Sequence, residues 1–508
     1  MKSAIPFPSL EERDGGNASS FFAQVLFGRE EEGCSPDTSE GCTLHSGYAN
    51  VWTESRCGTP RLLHNVVIPN CPMGKSFYYS VRTAELRNTT ADGETASLVP
   101  LVDFSPFRKG RLPSTHPDAA PVLALVADLD HTHSPNCIAA LTAVAAAGEI
   151  DMVLHAGDTA YDMDDSCNLV GDEYFEESSS ISEQIPYLWG VGDHEGGRKD
   201  LSGDCSLRVG YDYETYRMRM GEGVWGRQLY LSQRSLSPTT FYFSINVGLI
   251  HIAYVNTNPY ILGCHSWMLQ SQYDWLSRDL ASVNRTATPW VIVAGHRAMY
   301  CTKSMDAECT TEADSIRYGV ERGQYESYGS SQCGENECGA GRMFGLEHLL
   351  KKFNVDMYFS GHTHHYERSF PVNEGEPQKY VELHKYVNPK NTFHIVGGIA
   401  GVDPDEFTVG PADWTSFRDK AYNVLWGKVT ASNASYFRFE AVAAEDGSII
   451  DYVEVYRDDE YFDEDPSLMR SFIYMLSGIV GALLVILIIG GVLVMLFSRR
   501  KKETPEYL

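Results

Sequence analysis

A chain of 508 residues is long enough for two or three folded units, and its 43% hydrophobic and 12% aromatic content supports packed cores and excludes a disordered polymer. The net charge of -27 excludes a nucleic-acid surface, which needs clustered Lys and Arg. It leaves anionic substrates open, because a buried metal ion inverts the local field whatever the total charge.

Residues 1–45 are rich in Gly, Ser and Glu and read as an irregular lead-in. Over 46–115 the short alternating runs YANVWTE, HNVVIP and SFYYSVR, each bounded by Pro, Gly or Asn, predict a small β-sandwich domain. RKGRLPSTHPDAAP (108–121) reads as a linker. Over 116–457 the pattern becomes α/β. The apolar runs PVLALVA, IDMVLHA, IPYLWGV, LIHIAYV, WVIVAG and VDMYFSG alternate with helical segments, as buried sheets covered by helices require. NCIAALTAVAAAGE predicts one helix, closed by Gly148. LQSQYDWLSRDLASV (269–283) predicts another, with Leu269, Tyr273, Leu276 and Leu280 on one face. Strands return after about residue 390 in TFHIVGGIAG and SIIDYVEVY. An acidic stalk (458–471) leads to the uncharged run 472–497. As a helix that run reaches about 39 Å, enough to cross a bilayer. The tail 498–508 opens with Arg499, Arg500, Lys501 and Lys502, which keeps it cytosolic.

The expectation is therefore a single-pass type I membrane protein whose ectodomain is extracellular or in the secretory or lysosomal lumen. All 12 cysteines lie between Cys34 and Cys338, on the ectodomain side, and suit disulfides in an oxidising compartment. Cys34/Cys42, Cys57/Cys71, Cys301/Cys309 and Cys333/Cys338 are candidate near-neighbour pairs. Asn17, Asn88, Asn284 and Asn433 stand in Asn-x-Ser/Thr triplets and are glycosylation candidates. This topology calls for a signal peptide, and MKSAIPFPSLEERDGG has no apolar stretch; a signal ahead of Met1 is expected.

Five predicted strands end in ligand-type residues. LVADLD ends at Asp128 and Asp130, VLHAGDTAY delivers Asp158 and Tyr161, and LWGVGDHE delivers Asp193 and His194. IVAGHR delivers His296, and YFSGHTHHYER delivers His362 and His364. Singly, each has a bland reading: a turn aspartate, a hydrogen-bonded core histidine, a core tyrosine. Together, at the carboxyl ends of strands where open α/β sheets bind ligands, they predict one site. Oxygen and nitrogen donors of this kind suit iron, manganese or zinc.

The series D-x-G, G-D-x-x-Y, G-N-H-E, x-x-x-H and G-H-x-H is similar to that of purple acid phosphatases, within the metallophosphoesterases. The resemblance runs from about Val122 to Tyr456. PWVIVAGHRAMYC, GHTHHYERSFPV and QYDWLSRDL resemble the animal-type members most. It implies a two-sheet αβ sandwich core behind a fibronectin-like β-sandwich. It also implies a ferric ion on Asp128, Asp158, Tyr161 and His364, and a second ion (iron, zinc or manganese) on Asp158, Asp193, His296 and His362. Asp158 would bridge the two. The implied reaction is hydrolysis of phosphomonoesters at acidic pH, with His194 orienting the ester and protonating the leaving oxygen. No nucleic-acid partner is expected, and the sequence sets no oligomeric state.

Two positions depart from the pattern. Asp193 stands where the resemblance has Asn, and Asp130 where it has Gly. Asp130 reads as a turn residue or as an extra carboxylate in or behind the metal shell; His131 and His133 read as loop residues. Asp193 adds a negative charge that weakens the metals as Lewis acids and repels phosphate. The two departures keep a competing reading alive: a catalytically silent ectodomain that binds a ligand or partner. The Gly-, Ser- and Tyr-rich stretch from about Met299 to Arg342 reads as a lid or specificity loop.

Overall fold

The computed structural model describes residues 21–458, apart from 54–59, 89–95, 197–212, 221–238, 262–266, 322–340, 420–423 and a few single positions. Asn17, Cys57, His131, His133, Cys333, Cys338 and the expected membrane run 472–497 lie outside the described residues. Among the described residues no helix is long and apolar enough to cross a membrane.

Two seven-stranded sheets make an α/β core, as the two-sheet expectation required. The first runs in the order Tyr187–Trp189, Met152–His155, Val122–Val126, Leu425–Asn433, Tyr436–Ala443, Ile449–Tyr456, Lys385–Val387. The second runs Phe243–Val247, Ile250–Val255, Trp290–Gly295, Met357–Ser360, Phe393–Gly397, Tyr366–Ser369, Thr415–Asp419. In each sheet the strands that carry the predicted ligands are parallel to one another. Most of their residues are buried and apolar: every residue of Trp290–Gly295 and of Met152–His155 is buried, with His155 the polar exception. The sheets meet face to face, with the Trp290 ring 5.2 Å from Phe437 and the Tyr254 hydroxyl donating to the Val191 carbonyl at 2.8 Å.

The helices form where the periodicity placed them. Pro135–Ala147 stops at Gly148, whose φ of 77° only glycine adopts without strain. Trp267–Ser282 buries Leu269, Tyr273, Leu276 and Leu280.

The N-terminal part corrects the sequence reading in three places. Phe21–Gly28 is a strand, not lead-in, and pairs with Thr43–Ser46 on one edge and Ser76–Asn88 on the other. Its alternate residues Ala23, Val25 and Phe27 are buried, a period-two signal hidden between polar flanks. Arg108–Arg111 is not linker but strand, paired with the start of Ser76–Asn88, while Ala96–Pro100 pairs with its end. The HNVVIP run is strand only to Asn65. The second layer is the hairpin Tyr48–Thr53/Pro60–Asn65. It docks on the core through Arg61, whose guanidinium donates to Asp172, and through Trp52 Nε1, which donates to Glu214 at 2.9 Å.

Cys34–Cys42 and Cys301–Cys309 are disulfides. Cys71 is a free thiol, so the candidate pair with Cys57 is not formed. Asn284 and Asn433 are exposed; Asn88 ends a strand.

Candidate metal centre

Val122–Val126, Met152–His155 and Tyr187–Trp189 of the first sheet, with Trp290–Gly295 and Met357–Ser360 of the second, bring their carboxyl ends to one place. The chain leaves the sheets through tight backbone. Asp128, Asp158, Tyr161 and His362 have φ of 59°, 56°, 44° and 69°. Non-glycine residues held there cost about 1 to 3 kcal/mol each, and such strain concentrates at functional sites. Two neighbours must be glycine for space: a Cβ on Gly192 would strike the Asp158 carboxylate, and one on Gly361 the Asp128 carboxylate.

Two donor groups result. Asp158, Asp193, His296 and His362 offer one ligand atom each, all within 4.8 Å of one another. His296 Nε2 lies 3.2 Å from Asp158 Oδ2 and 3.0 Å from Asp193 Oδ1, and His362 Nδ1 lies 2.9 Å from Asp193 Oδ1. His296 Nδ1 donates to the Ala156 carbonyl at 3.0 Å, which leaves the Nε2 lone pair facing the cluster. His362 Nδ1 is buried and faces the Asp193 carboxylate. The second group is Asp128, Tyr161 and His364: the Tyr161 hydroxyl donates to Asp128 Oδ1 at 2.7 Å and sits 3.2 Å from His364 Nε2. Asp158 lies among the charges acting on Tyr161. Three buried carboxylates with converging imidazole nitrogens, and Gly192 and Gly361 leaving room only for the Asp158 and Asp128 carboxylates, fit a pair of cations.

The electrostatics agree with that fit. Burial, then Asp128 and Asp158, push the Tyr161 phenol well above its ordinary range, so without a cation it keeps its proton and donates a hydrogen bond to Asp128. Burial would raise Asp193, but Arg297 and His362 hold its carboxyl well below the usual carboxylate range. Burial likewise opposes His194 protonation, yet Asp158 and Asp162 outweigh it and raise the imidazole to about 9. His194 Nδ1 is 2.6 Å from Asp162 Oδ1, its Nε2 is 3.8 Å from Asp158 Oδ2, and its ring lies against Tyr161.

Asp130 makes local turn contacts. Its carboxylate accepts the Thr132 hydroxyl at 2.7 Å and the Thr132 N–H at 3.3 Å. Four partners went unread in the sequence. Glu195, buried, accepts the N–H groups of Asp158 at 2.9 Å, Thr159 at 2.6 Å and Gly192, binding two ligand loops together. Burial and Asp158 raise it to about 7. Asp162 holds His194. Arg297 Nη2 sits 3.4 Å from Asp193 Oδ1. Asp405 accepts the His364 N–H at 2.7 Å. Glu195, Asp162 and Arg297 each adjoin a predicted ligand or His194, which was the available signal; Asp405 has none.

Residues 122–366 match the Calcineurin-like phosphoesterase family, and residues 391–452 match the Iron/zinc purple acid phosphatase-like protein C family. Acid phosphatase type 7 of Homo sapiens is 28% identical over 351 residues, covering 66% of this chain and 68% of that protein. "Probable inactive purple acid phosphatase 27" of Arabidopsis thaliana is 27% identical, covering 62% of this chain and 44% of that protein. The structure of a purple acid phosphatase from yellow lupin (Lupinus luteus) seeds superposes with a TM-score of 0.60 at 20% identity, over 87% of this chain and 70% of that one; it shares the fold.

Proposed function

We propose, since the chain belongs to the purple acid phosphatase family of the metallophosphoesterases, that it hydrolyses phosphomonoesters at a pair of metal ions. The observation that carries this reading is the convergence of Asp158, Asp193, His296 and His362 beside Asp128, Tyr161 and His364. Asp128, Asp158, Tyr161 and His364 would hold iron, and Asp158, Asp193, His296 and His362 would hold iron, zinc or manganese. Ions bound there would polarise the phosphate and lower the pKa of water.

The chain's own residues do the rest. Glu195 fixes the loops of Asp158 and Asp193 to each other. Asp162 holds His194 Nδ1, so the other ring nitrogen presents its proton to the site. In the metal-free chain Asp158 and Asp162 favour the protonated ring against burial; with Asp158 engaged by cations, Asp162 would be the carboxylate left to hold that proton for the leaving oxygen of the ester.

One observation favours the silent-ectodomain reading: Asp193, where the resemblance has Asn, already faces Arg297 at 3.4 Å. The test is metal analysis of the purified protein with an assay on a generic phosphomonoester. Two ions per chain, turnover, and a visible phenolate-to-iron band abolished by Tyr161→Phe are expected. A colourless iron-loaded protein without turnover would reject the reading.

We also propose a type I anchor through 472–497. Its support is the uncharged run, the following Arg499 to Lys502, and the disulfides Cys34–Cys42 and Cys301–Cys309. Glycosidase treatment should increase gel mobility through Asn284, Asn433 and the other two sites; complete resistance argues for the reverse topology.

A further inference from the structure

We propose that Glu308 positions His362 as a metal ligand, and that the Cys301–Cys309 disulfide holds the acidic turn that carries Glu308. The inference rests on the metal-centre reading above. His362 directs Nδ1 into the cluster, 2.9 Å from Asp193 Oδ1. A neutral imidazole that gives Nδ1 to a cation keeps its hydrogen on Nε2, and that N–H needs an acceptor. Two groups face Nε2. Arg297 Nη1 is 2.6 Å away and can only donate. Glu308 Oε1 is 3.7 Å away and can accept. Two donors cannot share one bond, so a His362 that uses Nδ1 as a ligand turns its Nε2–H to Glu308.

Arg297 does not need His362. Its Nη1 donates to Glu312 Oε2 at 2.5 Å, and its Nη2 is 3.4 Å from Asp193 Oδ1. Glu308 and Glu312 stand four residues apart on the single turn Glu308–Glu312, one for the histidine and one for the arginine. The turn is fixed at its start: Cys309 is bonded to Cys301, which is buried against Ala298 and Val396. Lys303, inside the disulfide loop, places its Nζ 2.5 Å from Glu308 Oε2 and 3.2 Å from Asp405 Oδ2. It holds one oxygen of Glu308 and leaves Oε1 towards His362. Through Asp405, which accepts the His364 N–H, the same lysine ties this wall to the neighbouring ligand loop. A carboxylate behind a ligating imidazole fixes its tautomer and raises its basicity, and losing one typically weakens metal binding by about 10- to 100-fold.

The test uses the full chain in detergent, loaded with iron and then zinc, and titrated with a zinc chelator. Glu308→Gln keeps the shape but loses the charge and should release zinc about 10- to 100-fold more readily, with Glu308→Asp recovering most of the loss. The iron–Tyr161 absorption band should be unchanged in both, which separates loss of positioning from misfolding. Glu308→Gln zinc affinity equal to the wild type, in a wild type that holds zinc, overturns this inference alone. A wild type that holds neither iron, zinc nor manganese on Asp158, Asp193, His296 and His362 overturns it together with the metal-centre reading.

Discussion

Asp193 is where one residue decides how fast the proposed site can work. A count of charges from the sequence set Asp128, Asp158, a Tyr161 phenolate and Asp193 against the metals, one more negative charge than with Asn. The structure adds a cation that this count omitted: Arg297 at 3.4 Å from Asp193 Oδ1. Arg297 is shared with Glu312, so the offset is partial. Asp193→Asn is therefore expected to raise kcat/KM for a phosphomonoester about tenfold, equivalent to about 1.4 kcal/mol of transition-state stabilisation. Steady-state kinetics of the two proteins at matched metal content decide it. An unchanged or lower kcat/KM would mean that Arg297 already balances the carboxylate and that Asp193 is an adapted ligand. Protonation of Asp193 offers no escape at acidic pH, because Arg297 and His362 outweigh burial and hold its carboxyl ionised.

Elements differed in how far they could be read from the chain. The ligand-bearing strands announced themselves, because a strand buried on both faces must be apolar throughout and its end is marked by the abrupt arrival of Gly-Asp or Gly-His. Trp290–Gly295 is of this kind, and Met152–His155 departs from it only at His155. Phe21–Gly28 was missed because only alternate residues face inward and its neighbours in sequence are polar. Arg108–Arg111 was missed because its side chains are hydrophilic while its backbone pairs with Ser76–Tyr79. Site residues follow the same rule. Asp128, Asp158, His296 and His362 sit at strand ends and could be named. What Asp162, Glu195, Arg297 and Glu308 touch depends on how two sheets and a disulfide-clamped turn come together, and no local pattern encodes that. The docking of the hairpin by Arg61 on Asp172, which Arg219 also contacts at 2.7 Å, is likewise a long-range pairing.

At the scale of the whole molecule, two sets of histidines pull its stability in opposite directions with pH. In the metal-free chain His194, His296 and His364 are raised by neighbouring carboxylates in spite of burial. Their stabilisation is complete below the unfolded value of about 6.5 and is lost as pH rises through the folded value, about 9 for His194. Bound metals remove that contribution for the ligating His296 and His364, which must then stay neutral. The core histidines act the other way. His394 is lowered to about 3 by burial and then by Arg317, and neither ring nitrogen has a hydrogen-bond partner among the described residues. His155 is lowered to about 4, again mainly by burial. Both are neutral in the folded chain and protonate in the unfolded chain near 6.5, so the unfolded state binds the extra protons. Stability then falls as pH drops below about 6.5, by about 1.4 kcal/mol per pH unit for each histidine. An enzyme proposed to work at acidic pH carries a destabilising load in its core that only its folded packing opposes. His394→Leu removes part of it. Between pH 6.5 and 4.5 the loss of unfolding free energy should be smaller than in the wild type by about 2 to 3 kcal/mol. Urea denaturation of the metal-loaded proteins at the two pH values measures this difference. Equal losses would show that His394 takes up a proton without unfolding, and that acid lability has its source elsewhere in the molecule.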